Sequence, residues 1–240
     1  MGFARCGLAG QASKFTTVEL EPMKRALMYA AGLVGVAVVG TLALARASRA
    51  GYESAEYTVL ESDGAFEIRD YPDLMLAATD STLDAQGRDG SFMRLFQYIS
   101  GANEAEQAIA MTTPVFMEGD LGKSEVSMGF VMPKEVAAKG APDPREDGVK
   151  LRERQGGRFA VIRFSGRLDS KLAKEKEAEL RAWMASRGLT GKESAEAAGY
   201  DPPFTPAVLR RNEILIRMNE SPKEAANEES KTETGTARDS

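Results

Sequence analysis

The chain has 240 residues, 42% hydrophobic and 28% charged, with a formal net charge of −5. This suits a globular protein of one large or two small domains, and the lack of a Lys/Arg block argues against nucleic acid as a partner. There is no histidine and one cysteine, Cys6, which removes the commonest general base, the Ser-His and Cys-His nucleophile pairs, the imidazole ligand of zinc, iron and haem, and any internal disulfide.

Residues 1–25 read as an N-terminal extension. Residues 26–45, ALMYAAGLVGVAVVGTLALA, are twenty residues without a charge, preceded by Lys24 and Arg25 and followed by Arg46 and Arg49. Twenty apolar residues match the ~30 Å hydrocarbon core of a bilayer. The sequence therefore predicts a transmembrane anchor. A cleaved signal peptide is the alternative, with Ala43-Leu44-Ala45 and Ala45-Arg46-Ala47 resembling small-residue cleavage sites. Arg5, Lys14, Lys24 and Arg25 outnumber the basic residues just after the span. That bias places the following domain on the non-cytoplasmic side, anchored, or exported if the signal is removed.

Residues 52–218 form the expected folded part. YTVLES (57–62), the turn-forming pair Asp63-Gly64 and AFEIRDY (65–71) predict a hairpin. LMLAAT (74–79) follows as a strand. SFMRLFQYIS (91–100) predicts a helix with Phe92, Leu95, Phe96 and Ile99 on one face and Gly101 as its stop. TTPVFM (112–117) and VSMGFVM (126–132) read as strands. VKLRERQ (149–155) and RFAVIRFSG (158–166) then form a second pair. Asp169 can cap a helix to about Arg187, with Leu180, Trp183 and Met184 facing inward. PPFTP (202–206) and NEILIRM (212–218) complete the strands. The tail, 219–240, holds six acidic and three basic residues and no large apolar side chain, so disorder is expected there.

Ile68-Arg69-Asp70 matches Leu151-Arg152-Glu153, and residues 126–132 match 212–218. Two copies of strand, strand, helix, strand, strand predict a pseudo-twofold α+β domain. Pro114 falls where proline is tolerated, at a strand start, and corresponds roughly to Pro203 in the second copy.

AMTTPVF (110–116), GYDPPFTPAVLRRNEIL (199–215) and the link from VMPKEV to RFAVIRFSG (131–166) resemble the signatures of the SOUL haem-binding protein family. The resemblance runs from about residue 57 to 218. It implies a distorted β-barrel of two repeats flanked by two helices. It also implies a non-catalytic protein that holds haem or another tetrapyrrole by apolar contact over the first domain helix. The site residues so indicated are Phe92, Met93, Arg94, Phe96, Gln97, Tyr98 and Phe204, with no resident metal and no catalytic residue. Gln97 and Thr205 stand where basic residues can occur in the family. Axial ligation is left to Met93, Met111, Tyr98 or nothing.

A binder of another amphipathic molecule, held in the groove between repeats, is the second reading; the same fold type resembles bacterial effector-binding domains. An enzyme built on Glu104, Glu106, Glu118 and Asp120 is the third, though nothing fixes their spacing. Arg210-Arg211-Asn212-Glu213 could clamp an anion, or its arginines could pair internally with Asp201 and Glu213.

Overall fold

The computed structural model describes residues 51–83, 88–121, 125–202 and 204–219. The expected extension at 1–25, the apolar segment 26–45, Pro203 and nearly all of the tail lie outside the described residues. No helix among the described residues is long and apolar enough to cross a membrane.

A short strand β1 (Glu53–Ser54) precedes the hairpin of β2 (Thr58–Asp63) and β3 (Phe66–Tyr71). Its turn places Gly64 at φ +62°, a conformation glycine adopts without a Cβ clash. Then follow β4 (Leu74–Thr82), α1 (Ser91–Ile99), β5 (Thr112–Thr113), β6 (Val115–Gly119) and β7 (Glu125–Val131). The second half contains α2 (Lys134–Lys139), β8 (Lys150–Arg154), β9 (Gly157–Phe164), α3 (Ser170–Ser186), β10 (Gly191–Gly199) and β11 (Asn212–Met218). Pro114 sits between β5 and β6, with the Thr113–Pro114 peptide cis. It opens the strand that runs on to Gly119, as expected.

Nine strands form one antiparallel sheet in the order β2-β3-β9-β11-β10-β6-β7-β4-β8, while β1 and β5 pair separately in parallel. The fold is α+β, but the sheet is open and not a closed barrel. Its outer strands are the fully exposed β2 and the charged KLRER of β8, and charged, solvent-facing edges resist pairing. Exchanging β3 with β8, β4 with β9, β6 with β10 and β7 with β11 turns the order from β3 to β8 into its own reverse.

The second copy departs from expectation at PPFTP. Its described residues lie in a loop that leads to a three-residue 3-10 turn, Ala207–Leu209, and the next strand begins only at Asn212. The expected correspondence of Pro203 with Pro114 falls outside the described residues. The strand of this region is GKESAEAAG (β10), which sequence propensity disfavours. It forms because β11 pairs along one edge and β6 along the other, and Ala197 and Ala198 are fully buried between them. Context overrides propensity here.

α3 packs on β9 and β11, joining Leu180 and Met184 to Ile162, Ile214 and Ile216. α1 packs on β4 and β7. The other sheet face gathers Tyr71, Leu76, Phe116, Phe159 and Leu215. Asp169 caps α3 by accepting from the Leu172 amide at 2.9 Å. Asp169→Ala is expected to cost about 1 kcal/mol, read as a lower urea midpoint with an unchanged slope. Trp183 lies partly exposed at the sheet edge, stacked on Phe66 at 5.0 Å and donating to Asp63.

Candidate functional site

The first helix is fixed at both ends. At its start, Asp89 accepts from the Ser91 amide (3.0 Å), the Ser91 hydroxyl (2.6 Å) and the Thr82 amide (2.8 Å), tying α1 to β4. Burial alone raises the Asp89 carboxyl, but these bonds outweigh it and hold it below the usual carboxylate range. At its end, buried Asn103 donates to the carbonyls of Tyr98 (3.0 Å) and Gln107 (2.7 Å).

The buried stripe of α1 is Ser91, Leu95, Tyr98 and Ile99, packed with Ala77, Met128 and Phe130. This differs from the expected face. Tyr98 takes an inward position because its hydroxyl donates to the Pro142 carbonyl at 2.8 Å. Burial first, then the charge of Asp143, pushes that hydroxyl up to about 12. Phe96 moves outward and is 43% exposed; Met93 is 52% exposed. Phe92, half buried, stacks on Phe96 (6.2 Å between centroids, 12° between planes) and meets Phe130 edge-on.

The structure thus brings Phe92, Met93 and Phe96 into one apolar platform, with exposed Gln97 beside it. It sets the other expected residues to different work. Arg94 turns toward β4, donating to the Thr79 hydroxyl (3.0 Å) and the Asp80 carbonyl (2.8 Å). Tyr98 is core. Phe204 stands on the loop before β11, which is tied to Gly166 in the second half.

Two clefts elsewhere do not compete for a large flat anion. One, of about 520 Å³, is lined by Asp80, Asp89, Glu118 and Glu125. A more enclosed one below β1, of about 190 Å³, is lined by Leu74, Met75, Val131 and Met132 and falls short of a drug-sized pocket. The carboxylates weighed for catalysis are drawn into ion pairs or dispersed: Glu106 meets Arg145 at 2.9 Å and Glu118 meets Arg152 at 2.8 Å. No group of three metal-binding side chains occurs among the described residues.

Residues 52–217 match the model of the family described as SOUL heme-binding protein. The chain belongs to the SOUL family. Among its relatives, "Heme-binding protein 2" of Homo sapiens is 29% identical over 170 residues, covering 67% of this chain and 82% of that one. "Heme-binding protein 1" of Bos taurus is 27% identical over 149 residues, covering 59% and 76%. The SOUL fold also resembles a Listeria innocua protein described as a hydrolase (TM-score 0.50, 13% identity, 67% of this chain and 94% of that one). It resembles a chain of the EcmrR–DNA complex as well (TM-score 0.51, 10% identity, 83% and 72%). At such identities the likeness concerns the fold alone.

One feature of this SOUL domain escapes sequence reading. Arg69 and Glu213, both fully buried, form a bidentate pair at 2.8 and 3.0 Å. Arg211 adds bonds of 3.0 and 2.7 Å to Glu213, and Tyr200 one of 2.8 Å. The Arg211 amide also donates to Asp201. The RRNE motif therefore uses Arg211 as an internal partner. Burial alone raises the Glu213 carboxyl, but the bonds and charges of Arg69 and then Arg211 hold it below its ordinary value. The available signal was the alternation Glu67, Arg69, Tyr71 along β3, which puts all three on one sheet face.

Proposed function

We propose that this chain binds a tetrapyrrole, haem or its metal-free counterpart, flat against Phe92, Met93 and Phe96. The observation that carries the reading is this platform: two outward apolar side chains backed by a stacked ring, on the first helix of a SOUL-family domain. A fixed helix presenting unpartnered apolar surface suits a rigid planar ligand, which loses little freedom on binding. The residues fit the face of a porphyrin better than its iron. The chain has no histidine, Tyr98 is buried and hydrogen-bonded, and Met93 is the platform's one soft donor. Binding without chemistry is the role we propose, since the polar neighbours Arg94 and Tyr98 are engaged within the fold. Another amphipathic molecule on the same platform is the alternative, and titration of haemin and metal-free protoporphyrin against the protein tests both. Saturable binding of neither would overturn the tetrapyrrole reading.

The swap symmetry of the strand order supports a duplicated origin of the two halves. We further propose that residues 26–45 anchor the domain to a membrane, with the domain on the non-cytoplasmic side. Expression in cells should leave the full chain in the membrane pellet after alkaline carbonate washing, and release into the wash counts against the anchor.

A further inference from the structure

The loop between β10 and β11 combines two properties that seldom meet. Phe204 is 83% exposed and Val208 is 78% exposed, the largest such values for big apolar side chains among the described residues, and Pro206 and Ala207 between them are exposed as well. Yet its described residues are held at several points. Buried Thr205 donates its amide to Pro202 and accepts from Arg210 Nε at 2.8 Å. The Gly166 amide donates to the Ala207 carbonyl at 3.0 Å, and Tyr200 and Arg211 close the base at 3.1 Å. An apolar tip kept in water by so many bonds is not explained by the stability of the domain, because burial of Phe204 and Val208 contributes almost nothing to it.

We infer that this tip is a wedge that enters the lipid surface of the membrane to which the chain is anchored. The inference rests on the anchor reading for residues 26–45. The charge-free segment ends at Ala45, six residues before Gly51. Six residues reach at most about 20 Å, so an anchor at 26–45 would keep Gly51 within that distance of the bilayer. From there the chain passes Tyr57, whose hydroxyl accepts from Arg211 Nη2 at 3.1 Å, at the foot of this loop. The first described stretch of the chain and the base of this loop are therefore in contact. The tip is also of the right kind. Four side chains offer far less than the roughly 800 Å² per partner of a protein interface, whereas a bilayer accepts a small apolar wedge without a matching surface. Exposed Arg167 follows Gly166, which is bonded to the loop at Ala207, and so puts a basic side chain beside the tip, where it would meet anionic headgroups.

The test uses the full chain in vesicles of mixed neutral and anionic phospholipid, in a Cys6→Ser background. A nitroxide is attached after Phe204→Cys, and in a second sample after Lys192→Cys, an exposed position at the opposite end of β10 from this loop. The label at 204 should be relaxed by oxygen and at least fivefold less by a water-soluble nickel chelate than the label at 192. Equal nickel access at both positions, in protein that floats with the vesicles, overturns the wedge while leaving the anchor standing. Protection from both relaxants marks a protein contact and equally overturns it. Protein that fails to float at all removes the anchor and the wedge together.

Discussion

Glu213→Ala is expected to destabilise the domain by about 3–5 kcal/mol, the usual cost of leaving one buried charge without its partner. For a domain of this size that lowers the melting temperature by roughly 10 °C or more. Arg69 is fully buried, and Glu213 accepts both ends of its guanidinium; its remaining partners, Glu67 and Tyr71, cannot restore that geometry. Replacing the pair together, Arg69→Met with Glu213→Leu, should recover only part of the loss: Arg69 no longer lies buried without its partner, but Arg211 and Tyr200 still lose their acceptor. The pH dependence has a definite sign. Because the folded-state value of Glu213 is depressed, its contribution is present above the ordinary carboxylate value of 4.5 and is lost as pH falls through the folded value. Thermal melts of wild type should fall on acidification below about pH 4.5, and those of the double variant should fall less. A Glu213→Ala protein that melts with wild type would refute this account of the buried pair.

Tetrapyrrole binding should be nearly independent of the metal. A porphyrin face laid on Phe92, Met93 and Phe96 removes about 200 Å² of apolar surface, worth about 5 kcal/mol before the costs of association. Arg94 does not add a propionate contact, since its guanidinium is already bonded to Thr79 and Asp80. An exposed ion pair from elsewhere would bring only about 0–1 kcal/mol. Metal-free protoporphyrin should therefore bind within about tenfold of haemin, or ~1.4 kcal/mol. Phe96→Asp and Met93→Asp should each weaken both ligands alike, by roughly ten- to a hundredfold, by setting a charge against the porphyrin face. Both side chains are substantially exposed, so the melting temperature should hardly move. A thousandfold preference for haemin, or a six-coordinate low-spin spectrum, would show that a side chain ligates the iron and that the platform is not the main source of affinity.

The elements that were legible in the sequence are those with local causes. Asp63-Gly64 makes its own turn, Asp169 caps its own helix, and the apolar spacing from Phe92 to Ile99 marks α1 as a helix. What decides the rest is not local. The sequence of β10 lacks β-branched residues, and only its two flanking strands make it a strand. On α1 the apolar periodicity is satisfied by more than one rotation. The choice falls to a single hydrogen bond from Tyr98 to Pro142, a partner 44 positions away. Arg94 reads as a free cation until β4 supplies Thr79 and Asp80. Along β3, alternation separates two faces but does not say that both are covered, and so it does not reveal that Arg69 is buried. The seven expected site residues accordingly divide into a platform of three, a neighbour in Gln97, two side chains engaged in the fold and Phe204 on a separate loop.

The crossing of the halves has a consequence for how the domain assembles. β3 lies against β9, β8 against β4, and β6 against β10, so each half depends on strands that the other supplies. No long run of the sheet can be completed before most of the domain has been synthesised, and the contacts that close it have high sequence separation. Such a topology folds slowly, because loop closure must precede the pairing that rewards it. It also melts as a single unit. A nick in the exposed link near Lys139 cuts the chain but leaves the interleaved strands to hold the two pieces in one body.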